Sequence, residues 1–172
     1  MENTMSLSMY QASVPAFQKF LGNLKDVLKK GEDFAAAKKV DPAVMLNARL
    51  APDMFAFTRQ VQITTDVAKG ATARLSGVDI PTFEDTETSF AELYARIDKT
   101  LAFIATAKPE QIDGKENAEI TITPGGRTLV FKGQDYLVNW AMPNFYFHMM
   151  AAYTILRHHG VEVGKMDYLG KY

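Results

Sequence analysis

Residues 143–160, PNFYFHMMAAYTILRHHG, decide how the rest of the chain is read. They read as one helix. Pro143 suits a first-turn position, where its missing N–H costs nothing. Gly160 suits the left-handed residue that closes a helix. Between them Phe145, Phe147, Met149, Met150, Ala151, Ala152, Tyr153, Ile155 and Leu156 put apolar side chains on nearly every face. A helix apolar all round is one that its neighbours bury. One polar pair interrupts it: His148, with Asn144 one turn earlier on the same side. The chemistry open to the chain depends on what that pair faces.

Upstream, Tyr10, Val14, Phe17, Phe20, Leu21, Leu24, Val27 and Leu28 recur at three- and four-residue spacing, which predicts an amphipathic first helix. Ser13 is its expected cap, Pro15 marks its first full turn, and Lys29, Lys30 and Gly31 close it. Residues 31–41 then read as a linker. Asp41 before Pro42 signals a short helix near 42–49. A long helix follows from about 52 to 75, broken from its predecessor at Pro52 and ended by Gly77. Met54, Phe57, Val61, Ala68, Ala71 and Leu75 give it a buried stripe, and Asp53 is placed to cap or complement a helix start. Residues 78–87 have no periodicity and read as an extended crossover. Phe90, Leu93, Ile97, Leu101 and Ile104 predict a third helix that runs to about Lys108 and Pro109.

The period then changes. Residues 118–123 alternate, Pro124 to Gly126 turn, and residues 127–131 return with strand formers, a hairpin signal. A lone hairpin is marginal in water, so this one is expected to lie against the helices. A helical turn is expected around Tyr136 to Trp140, and a short tail follows from Val161 to Tyr172. The fold class is therefore mainly α: a four-helix bundle with a long crossover and one β-hairpin before the last helix, read as a single domain over 1–172.

Composition bounds the functions. Apolar residues are 47% of the 172 and charged residues 23%, an ordinary globular mix. The net charge of −1 argues against a nucleic-acid surface, which usually shows a basic excess. No cysteine is present, which excludes disulfides and thiolate metal sites. The N-terminal residues lack an export signal and no long apolar run suggests a membrane span, so a cytoplasmic protein is expected. Phosphate loops, dinucleotide fingerprints and nucleophile elbows are all missing.

The order of elements, with His148 followed by Ile155, Leu156, Arg157 and Gly160, and Gln62 one turn before Asp66, resembles the DinB/YfiT-like helical bundle superfamily. Residues 136–148, Leu50 to Met54 and the hairpin look more closely like an uncharacterised branch of it. The resemblance implies a divalent metal held by three histidines, one from the second helix and two at i and i+4 on the last. That spacing puts both imidazoles on one helical face. Here His148 matches the later position, Asn144 stands at the earlier one, and the second helix has no histidine. Gln62 is the expected facing residue, with Gln60 its close rival.

The pocket candidates are therefore Gln62, Asp66, Asn144 and His148. No cofactor is expected, the alternative being a weakly bound divalent cation at His148. As a plain core residue, His148 would be satisfied by Asn144, Gln62 or a buried water. Asp66, near Lys69 and Arg59, is expected to be a solvated or paired carboxylate, and His158 and His159 to sit at an exposed helix end. The methionines and aromatic residues around His148 suit a core, a ligand pocket or a dimer face. The expected function is a small-ligand-binding or non-enzymatic homodimer with a degenerate metal pocket. The alternative is metal-assisted transfer of a thiol in the same cavity.

Overall fold

The computed structural model describes residues 7–171. The first six residues, read above for an export signal, and Tyr172 at the end of the tail lie outside them. In chain order the elements are α1 (Met9–Lys38), α2 (Pro42–Leu46), α3 (Phe57–Ser76), α4 (Phe90–Ile104), α5 (Pro109–Ile112), β1 (Glu119–Ile122), β2 (Leu129–Lys132), α6 (Gly133–Tyr136), α7 (Met142–His158) and α8 (Lys165–Leu169). The long helices form a closed ring in which α1 meets α4, α4 meets α3, α3 meets α7 and α7 returns to α1. Phe17, Phe57, Phe145, Leu21, Leu24, Leu93 and Ile97 fill its centre with almost no exposure. The sheet is a single antiparallel pair, with Ile120 opposite Phe131 and Ile122 opposite Leu129. Ile120 and Ile122 point inward and are buried, so the hairpin does lie on the helices. No helix among the described residues is long and apolar enough to cross a membrane.

The first helix is longer at both ends than its sequence suggests. Ser8, not Ser13, caps it: the Ser8 hydroxyl accepts from the Gln11 N–H and the Gln11 side chain accepts from the Ser8 N–H, both at 3.2 Å. Ser13 lies a turn inside and donates to the Met9 carbonyl at 2.7 Å. Gly31 does not end the helix. A Cβ there would stand 3.1 Å from both methyl carbons of Leu156, so the glycine serves the close approach of α1 and α7. The segment expected as a linker stays helical until Lys39, whose φ of 56° makes it the left-handed closing residue.

Two other boundaries move. Pro52 and Asp53 fall in a turn, and α3 starts at Phe57 without a side-chain cap, so Asp53 does not cap it. At the other end of the bundle, Pro143 does stand in the first turn of α7, but the chain ahead of it is already helical. The helical path already begins at Gly133 and passes through a π turn at Leu137–Ala141 before α7. Proline cannot donate to a carbonyl four residues back and its ring crowds that carbonyl, so a widened turn just ahead of Pro143 relieves both problems. Gly160 does close α7, at φ 91°. The helix is not buried all round, however: Phe147 is 58% and Met150 46% exposed.

Candidate functional site

His148 projects from α7 toward α3, and the residue it meets there is Gln60. The imidazole Nδ1 lies 2.7 Å from the Gln60 Oε1. Gln60 is buried, and its own Nε2 donates to the Phe55 carbonyl at 3.2 Å. That second bond orients the amide. A carbonyl oxygen only accepts, so the NH₂ end must face Phe55 and the oxygen must face His148. The Nδ1 therefore carries the proton and donates to Gln60. In a neutral ring this leaves Nε2 as an acceptor, and among the described residues no hydrogen bond reaches it.

The neutral ring is favoured. Burial, and after it the positive charge of Arg59, hold the His148 pKa below the ordinary imidazole value. Phe147 packs edge to face on the imidazole, centroids 5.1 Å apart. Asn144, one turn earlier, is half-buried, and among the described residues no hydrogen bond joins it to His148. Its amide keeps both donor and acceptor capacity.

Gln62 and Asp66 belong to a different cluster. Gln62 lies two positions beyond Gln60, a helical rotation of roughly 200° that turns it away from α7. It accepts from Arg59 at 3.2 Å and donates to Glu87 at 2.8 Å. Asp66 accepts from Lys69 and from Arg96, each at 2.9 Å. The structure thus joins Gln60 to His148 on one flank of α3, and Gln62 to Asp66 through Arg96 and Glu87 on the other. His158 is exposed, and His159 sits in the last turn against the Ile155 carbonyl at 2.8 Å.

Arg96 is the residue that periodicity alone passed over. It is 3% exposed, and every nitrogen of its guanidinium is engaged. Nε donates to Thr65, Nη1 to Glu87 and the Glu84 carbonyl, and Nη2 to Asp66 and Asp85, all at 2.8–3.0 Å. The signal in the sequence was an arginine three residues after Leu93 and one before Ile97, on the buried stripe of α4, downstream of an acid-rich crossover. A cation on an apolar stripe demands paired acids.

The three-histidine metal pattern does not fit these residues. The corresponding positions hold Gln60, Asn144 and His148, one imidazole and two carboxamides, and carboxamide oxygens are poor ligands for zinc or nickel. Among the described residues no group of three His, Asp or Glu converges to hold a metal.

The family model described as a domain of unknown function, DUF1993, matches residues 9–169. Among curated proteins none matches. A crystal structure of a DinB family member protein from Shewanella denitrificans is similar, with 43% identity and a TM-score of 0.87 over 95% of this chain and 93% of that one. The helical ring, the hairpin ahead of the last helix and these two likenesses agree, and the chain belongs to the DUF1993 family, a DinB-like branch of unknown function.

Proposed function

We propose that this cytoplasmic protein binds a small polar molecule at His148 and Asn144, as a non-enzymatic bundle whose ancestral metal pocket has been given over to hydrogen bonding. The observation that carries the reading is the Gln60–His148 bond, which fixes one tautomer and leaves Nε2 as an acceptor. A matching ligand offers Nε2 an N–H or O–H donor, exchanges a second hydrogen bond with the Asn144 amide, and lays an apolar edge against Phe147. A metal-assisted thiol transferase would need ligands beyond the single imidazole, and the amides at Gln60 and Asn144 are weak substitutes. The exposed apolar side chains of Phe147 and Met150 on α7 support a homodimer.

The test is a fragment screen by protein-observed NMR, run beside elemental analysis of protein purified without chelator. Fragments with paired donor and acceptor groups are expected to shift His148 and Asn144 signals, and His148→Ala to abolish the response. Stoichiometric metal that disappears in His148→Ala would overturn the reading in favour of the enzyme.

A further inference from the structure

The crossover that links α3 to α4 is attached to the bundle in an unusual way. Val78 closes α3 on the Ala73 carbonyl, and from 79 to 87 no backbone hydrogen bond to another backbone group is present among the described residues. None of the residues 78–88 is among those that form or flank the apolar core, and Val78 and Ile80 are 43% and 41% exposed. Its attachments are polar. Asp85 pairs with Arg59 and Arg96, Glu87 with Arg96 and Gln62, and the Glu84 carbonyl with Arg96. Phe83 lies between two ammonium groups, Lys69 and Lys99, each 4.1 Å from its ring centre.

The segment carries four acids, Asp79, Glu84, Asp85 and Glu87, and no base. The floor beneath it is Gln62, Thr65, Lys69 and Arg96, all buried, and cationic beyond what Asp66 compensates. A cleft of about 400 Å³ lined by Phe83, Glu87, Ala95, Arg96 and Lys99 lies beside it.

We propose that residues 78–88 form a lid that opens as a unit, latched by Arg96, and that its opening is felt through Arg59 at the His148 site on the opposite flank of α3. The coupling bears on the ligand-binding reading above; the lid does not rest on it. Lifting the segment wets polar groups rather than the apolar core, and buried ion pairs exchange against hydration at near balance. Opening therefore leaves the bundle intact, and salt favours it by screening the parted charges. The coupling runs through Arg59, which holds Asp85 and Gln62 and precedes Gln60, the partner of His148. Its charge already bears on the imidazole.

The experiment is backbone NMR relaxation on the full chain as wild type, Arg96→Met and Glu87→Gln, at about 0.05 and about 0.5 M NaCl. In both variants, and in wild type at high salt, relaxation dispersion on the μs–ms timescale is expected to appear or grow at 79–87, while α3 and α4 stay free of it. Glu87→Gln, on the lid itself, keeps the test valid if Arg96→Met fails to fold. A lid that shows no such dispersion in Glu87→Gln and at high salt, or α3 and α4 loosening along with it, would overturn the proposal. A lid that loosens without moving the His148 side-chain signals would overturn the coupling alone. Absence of any fragment binding in wild type would instead remove the ligand reading and leave the lid standing.

Discussion

A glutamine amide that already gives its N–H to a backbone carbonyl has only its oxygen left, and at Gln60 that oxygen sets the state of His148. Nitrogen NMR of the imidazole is expected to show the Nδ1-protonated tautomer. The ring should titrate below the ordinary value of about 6.5. Because the folded pKa lies below the unfolded one, the unfolded chain binds the proton first as pH falls. Stability is then lost from about pH 6.5 downward until the folded pKa is passed, and His148→Gln should flatten that slope in denaturant melts. A melt that steepens or stays unchanged in His148→Gln would assign the slope to other groups.

The metal argument is testable at the same residues. Asn144→His with Gln60→His places three imidazoles around one point and is expected to raise zinc affinity by orders of magnitude, roughly 10²-fold or more. Gln62→His in place of Gln60→His should gain nothing, since Gln62 faces Glu87. Isothermal titration with zinc separates the outcomes. His148 and Asn144 were legible in sequence because helical spacing fixes their common face. The choice between Gln60 and Gln62 was not, because it depends on how α3 is rotated against α7, which no local pattern records.

At the scale of elements, glycine and proline carried most of the misreading. A glycine after two lysines looks like a helix stop, and Gly31 is instead a contact point for Leu156. Both uses need a missing side chain, so the sequence alone does not separate them. Pro143 does mark the first turn of α7, but the π turn that joins this helix to α6 has no compositional mark. The hairpin was legible, since its alternation and its turn are local. It is tied down at Gly133, where any Cβ would run into the Lys115 carbonyl, and by the Gln134 N–H on the Glu116 carbonyl at 3.0 Å. Phe131 adds ring contacts with Tyr136 and Trp140. Gly133→Ala is expected to cost about 1–3 kcal/mol by overpacking, read as a lowered midpoint in thermal or urea melts. Hydrogen exchange at 119–122 and 129–132 should be slower than in the loops, and loss of that protection in Gly133→Ala would show that the junction holds the hairpin.

For the whole molecule, the ring order of the helices follows from which stripes are apolar, and those stripes were visible in all four long helices. The polar clasp of Arg96 was not, because its partners come from another helix, α3, and from a segment without periodicity. The exposed apolar side chains of Phe147, Met150 and Val138 bear on assembly. Sedimentation at high micromolar concentration is expected to show a dimer that Phe147→Glu dissociates, and a lone monomer in wild type would defeat the idea. The crossover has one more consequence. Everything before it, from Met9 to Leu75, and everything after it, from Phe90 to Val163, meets in one shared core to which the crossover itself adds nothing. Covalent continuity between the halves is thus dispensable once they have met: a chain nicked between 79 and 87 would stay one particle, its two pieces held by their interior rather than by the thread between them.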